Sequence, residues 1–241
     1  MGNIKRIGQL LFRLIVAAWA LVVLTHVAHA APTEVTANYK ILKSGVLIGT
    51  VEEKFVRTGD SYRITSDTRT AGALSLLLRD RITVTAEGRV GNAGLEPAQY
   101  EFRRQNDAGK NVSARFDWAL GKIVSQHDQK TESFSLPSGT VDRISAMYQF
   151  MFNAPRAEQI VAWVSGGKKA EEYSYRKRGE PVLKVGGNQI ETVHYERENE
   201  PGRSKAQLWL AKNQHYLPVR VVFEDSHGLT LEQSLVSLQT K

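Results

Sequence analysis

The chain has 241 residues and no cysteine, which excludes disulfides, thiolate metal sites and cysteine nucleophiles. Its formal charge of +7 is partly a property of the first thirty residues: removing Lys5, Arg6 and Arg13 takes the basic count from 32 to 29 against 25 acidic residues. So small an excess permits a basic partner-binding field without demanding one, and no nucleic-acid partner is expected.

Along the chain, the basic leader is followed by an apolar run over residues 14–24 and by Ala28-His29-Ala30. Positive n-region, short h-region and A-x-A ending read as a secretory signal peptide cleaved after Ala30. A spanning helix needs about 20 apolar residues, and Thr25, His26 and His29 interrupt this one. The expectation is a signal peptide over 1–30 and a single β-rich domain over 31–241, periplasmic or else secreted. No transmembrane span remains after cleavage, and about 210 residues suffice for a packed core.

From residue 31 onward, period-two alternation bounded by turn residues predicts strands. Val35, Ala37, Tyr39 and Ile41 alternate with polar neighbours, and Ser44-Gly45 makes a tight turn into Val46 and Ile48. Tyr62 and Ile64, then Ile82 and Val84, continue the pattern. Val112, Ala114, Phe116 and Trp118 share one face, with Ser113, Arg115 and Asp117 on the other. Near the end, Val219, Val221 and Phe223 line up before the turn at residues 225–228. Two segments differ. Residues 140–152 carry Val141, Ile144, Met147, Tyr148 and Met151 at helical spacing, with Ser138 or Thr140 to cap and Asp142 in the first turn. Residues 71–78 are apolar without a clear period and read as a short helix or a loop over an open sheet. The predicted fold is mainly β: a curved antiparallel sheet or incomplete barrel with one principal helix on its concave face.

Catalytic patterns are missing. His127, His194, His215 and His227 lack the spacing of a zinc-protease helix. Ser75 lacks the glycines of a nucleophile elbow, and Ser145 stands at capping distance from Asp142. No catalytic residue, metal ligand or cofactor is expected. Ile144, Met147, Tyr148 and Met151 read either as ordinary core or as the wall of an apolar cavity, to which methionines adapt well. Leu74, Leu76, Leu77 and Leu78 would mark a contact surface if exposed, and Arg176, Lys177 and Arg178 form a short basic cluster.

Leu208-Trp209-Leu210, His215-Tyr216-Leu217-Pro218-Val219-Arg220 and the turn ending at Gly228 form an ordered pattern. With Tyr39, Gly45 and Gly49, Leu95-Glu96-Pro97 and Asp142-Arg143-Ile144-Ser145, it resembles the exported bacterial family known as domain of unknown function 3108. That family implies no catalytic residues. The closing strands are also similar, more distantly, to periplasmic lipoprotein carriers, which implies an open half-barrel whose apolar face cradles acyl chains, with Trp209 and Pro218 structural. The function expected is non-enzymatic binding of a lipid or other apolar molecule in envelope assembly. The alternatives are a scaffold that docks an envelope protein, or a glycan-binding or glycan-modifying protein using Trp118, Trp163 and Trp209.

Overall fold

The computed structural model describes residues 31–76, 79–198 and 205–241; the expected signal peptide and its cleavage site lie outside them, as do Leu77 and Leu78. The first half of the sheet is a meander of adjacent antiparallel strands: β1 (Glu34–Lys43), β2 (Val46–Thr58), β3 (Ser61–Thr70), β4 (Arg81–Gly91) and β5 (Gly94–Arg104). It continues through β6 (Val112–Asp117), β7 (Lys122–His127) and β8 (Lys130–Ser135). The second half runs from β9 (Val141–Asp142) through β10 (Gln159–Ser165), β11 (Ala170–Gly179), β12 (Val182–Val185) and β13 (Asn188–Arg197). It ends with β14 (Lys205–Ala211), β15 (Pro218–Glu224) and β16 (Thr230–Thr240). All sixteen join one sheet, and β12 hangs from β13 as a side branch.

The halves are joined by their outermost strands in sequence. β16 lies antiparallel beside β1, with Val35 opposite Thr240 and Lys43 opposite Leu231. The free edges of the sheet are therefore β8 and β9, which follow one another along the chain. The short segment between them, residues 136–140, passes from one edge to the other, and the principal helix follows directly after β9. The sheet is curved and unclosed, in keeping with the expected curved antiparallel sheet or incomplete barrel.

Alternation decides which side chains enter. On β2, Val51, Glu53 and Phe55 are buried while Glu52 and Lys54 are exposed. On β6, Val112, Ala114 and Phe116 are buried and the intervening residues are more open. One apolar cluster packs β1 to β6 around Phe55, Ile64 and Tyr148; another joins Val193, Tyr195, Leu208, Leu210 and Val221 on β13 to β15. The first hairpin turns as its sequence requires, with Ser44 and Gly45 both left-handed at φ 46° and 85°, the backbone of a tight two-residue connection.

The principal helix is shorter than its stripe suggests. Helix α1 covers Ser145–Tyr148 and runs into a 3₁₀ turn at Gln149–Met151. Its first half is lost because Val141 and Asp142 pair in parallel with Val164 and Ser165. Asp142 itself supplies the cap that Ser138 or Thr140 was expected to give: its Oδ1 accepts from the Ile144 and Ser145 N–H groups at 3.0 and 2.9 Å. At the far end, Gln149 Oε1 accepts from Leu95 N (2.7 Å) and its Nε2 donates to Ala93 O (2.9 Å), tying the turn to the β4–β5 connection. The apolar stretch near residue 74 forms a 3₁₀ helix, Gly72–Leu76, beside Leu47.

Candidate functional site

Where helix α1 crosses the inner face, two carboxylates are buried. Asp142 is fully enclosed; Ser145 Oγ donates to its Oδ2 at 2.6 Å, and Tyr62 Oη lies 2.9 Å from the same Oγ. Burial pushes the Asp142 carboxyl up to about 6, against the pull of the Ser145 hydroxyl and of the backbone N–H groups of Ser145, Ile144 and Asp142 itself. Glu53 projects inward from β2, where Tyr148 Oη donates to its Oε2 (3.0 Å) and Gln233 Nε2 approaches its Oε1 (3.4 Å). Burial raises it to about 7, and the Tyr148 and Gln233 bonds oppose the rise. Tyr39 Oη donates to Pro218 O at 3.1 Å beside it.

Glu53 stands at the polar end of a cavity of about 200 Å³. The remaining wall is largely apolar: Val84 and Phe102 from one half of the sheet, Val221 and Phe223 from the other, Ile144 from the entrance of helix α1 and Met147 from the helix itself. Met147 touches both apolar clusters and so bridges the two halves above the cavity. Phe223, 40% exposed, stands at its open side. Of the four apolar residues singled out from the sequence, Ile144 and Met147 line this space. Tyr148 and Met151 pack instead into the β1 to β6 core, Tyr148 stacked on Phe55 with ring centroids 5.6 Å apart, and Tyr148 reaches the cavity only through its bond to Glu53.

The family whose description is Protein of unknown function (DUF3108) matches residues 34–234. The chain belongs to the DUF3108 family. No curated protein matches it. Among solved structures, the β-barrel-like protein of domain of unknown function DUF1849 from Brucella abortus is similar in fold. Its TM-score is 0.55 at 10% identity, over 88% of this chain and 99% of that one. The Mycobacterium tuberculosis lipoprotein LppX is a looser match, with a TM-score of 0.24 at 11% identity over 85% of each chain, too distant to argue from.

The other sequence candidates of this DUF3108 chain lie away from the cavity. Leu74 is half-buried on the 3₁₀ helix and Leu76 is 87% exposed. Each residue of the basic cluster has a carboxylate: Arg176 with Glu198 (2.6 Å), Lys177 with Glu180 (2.6 Å) and Arg178 with Glu196 (2.9 Å). His194 points away from its buried neighbours Val193 and Tyr195 and stacks on Trp209 at 4.2 Å, with Arg220 over the same indole. Burial lowers its pKa. Trp118 donates to Pro97 O at 2.7 Å, and no aromatic contact among the described residues joins Trp118, Trp163 and Trp209. Among the described residues no three His, Asp or Glu side chains group as a metal site, and no helix is long and apolar enough to cross a membrane. Sequence reasoning overlooked Glu53, although alternation in Val51-Glu52-Glu53-Lys54-Phe55 places it inward between two core residues.

Proposed function

We propose that this protein is a non-enzymatic periplasmic component that holds a hydrophobic or lipid-like ligand against the inner face of its sheet during envelope assembly. The leader and Ala28-His29-Ala30 site support export. The observation that carries the binding reading is the cavity between Val84 and Phe102 on one side and Val221 and Phe223 on the other, roofed by Met147. An unclosed sheet leaves this apolar space open where a closed small barrel would fill it with side chains. At about 200 Å³ it is smaller than the roughly 300–1,000 Å³ of sites that enclose a drug-sized molecule. It therefore suits one acyl chain end or a compact apolar group. Met147→Glu places a charge in the wall. Loss of a co-purifying or added apolar ligand with the β-sheet circular dichroism intact is the expected result. Undiminished retention by the folded variant would refute the assignment.

A second reading, docking of an envelope protein, is favoured by one specific patch: Leu76 (87% exposed) and Val46 (64%) flank the contact of Gly72 with Leu47. A crosslinked partner lost on Leu76→Ser and Val46→Ser, with ligand binding unchanged, would support it.

A further inference from the structure

We propose that the ligand is a single-chain anionic amphiphile, whose phosphate or carboxylate head is held by Arg143 while its tail enters the cavity beneath Met147. This rests on the binding reading above and names the chemistry of the ligand. Arg143 sits between two spaces. It lines the apolar cavity together with Ile144 and Met147, and it also lines a larger recess of about 440 Å³ between β6 to β8 and β10 to β11. Tyr100 and Phe102 are common to both walls, so the two spaces adjoin across these three side chains. The recess is cationic: Lys110, Arg143, Lys168 and Lys169 face two carboxylates, Glu132 and Glu171.

The three lysines are already engaged, Lys110 with Asp107 (2.9 Å), Lys168 with Asp128 (3.6 Å) and Lys169 with Glu171 (2.9 Å). Arg143 has no hydrogen bond or ion pair from its side chain to any other described residue. The side chain is exposed, and its guanidinium lies against Gly166, where a Cβ would stand only 2.8 Å from Cζ and Nε. Burial first, and Asp142 second, push Tyr100 up to about 12, with Arg143 opposing; a neutral phenol therefore flanks the cation. A planar guanidinium with free donors matches the geometry of a carboxylate or phosphate head. The adjoining apolar cavity explains why the head should carry a chain.

Binding of dodecyl phosphate, dodecyl maltoside and dodecyltrimethylammonium, each below its micelle concentration, is measured by isothermal calorimetry to the full mature chain and to Arg143→Gln and Gly166→Ala. The expected order is phosphate tightest, with Arg143→Gln weakening that probe on the order of tenfold and leaving the maltoside unchanged. Gly166→Ala, which displaces the guanidinium without removing it, should weaken the phosphate as well. Equal binding of all three probes, or an unaltered phosphate affinity in folded Arg143→Gln, overturns the anionic assignment while the cavity reading stands. Binding of none of them overturns both. Inorganic phosphate competing as well as dodecyl phosphate would show a free-anion site and likewise overturn it.

Discussion

Glu53 makes stability fall as pH rises, and Glu53→Gln should abolish that dependence. In the unfolded chain the carboxyl titrates near 4.5; in the folded chain burial raises it to about 7. A raised folded-state value means that folding favours the neutral acid. The contribution is therefore fully present below about pH 4.5 and lost as pH climbs through about 7. Each pKa unit corresponds to about 1.4 kcal/mol, so the shift amounts to on the order of 3 kcal/mol. Asp142, raised to about 6 by the same cause, slopes the same way over a lower window, but it is common to both proteins and cancels in their difference. Glutamine keeps an oxygen for Tyr148 Oη, and the Gln233 amide can turn to meet the new NH₂ group. Urea unfolding of wild type and Glu53→Gln at intervals between about pH 4 and 8.5 should give curves that diverge across pH 4.5–7, the variant being relatively more stable at the alkaline end. Curves that stay parallel to within about 0.5 kcal/mol would refute the buried, neutral Glu53 and the geometry behind it.

Tyr148→Phe removes the bond to Glu53 and should cost about 1–2 kcal/mol. It should also move the midpoint of the same pH-dependent difference upward, since that bond holds the carboxyl down. Asp142→Ala strips the cap from Ile144 and Ser145 and leaves the buried Ser145 hydroxyl short of its acceptor; a loss of roughly 2–4 kcal/mol in urea unfolding is expected. Gly167 has φ +88°, and a Cβ there would meet Val112 Cγ1 at 2.7 Å and Tyr100 Cδ1 at 2.9 Å. Gly167→Ala should therefore cost roughly 2–4 kcal/mol, whereas Gly121→Ala, with φ +62° and nothing within 4 Å, should cost only about 1 kcal/mol. Equal losses at the two glycines would show that the β10–β11 turn does not press on the inner face.

Local geometry was legible because it is written in short-range pattern. Ser44-Gly45 fixes a hairpin through the φ values its residues tolerate, and Val112, Ala114 and Phe116 declare the buried face of β6 by alternation alone. The closing turn was readable too, where Asp225 Oδ1 accepts from His227 N and Leu229 N at 2.9 Å. Partner choice was not legible. Nothing local in Val35 or Thr240 says that the ends of the chain pair with each other, because alternation specifies a face and not a neighbour. The helix was foreseen and overextended for a related reason: a stripe at helical spacing over 140–152 cannot report that Val141 and Asp142 are claimed by β10. At the site, Ile144 and Met147 announced themselves as apolar. Glu53 was readable but overlooked, since it alternates with Val51 and Phe55 on the buried face of β2; Arg143 was not, because a charge at a helix entrance has the same sequence whether it meets water or a cavity.

The central claim is that an apolar ligand sits beneath Met147. The chain has three methionines, of which only Met147 and Met151 lie beyond residue 30, so methyl NMR of residues 31–241 labelled at methionine should show two probes. One lines the cavity and the other packs in the core against Phe55 and Tyr148. On titration with dodecyl phosphate the account predicts a large, saturable shift at Met147 and little change at Met151. Two unmoved resonances, or equal drift of both without saturation, would contradict it.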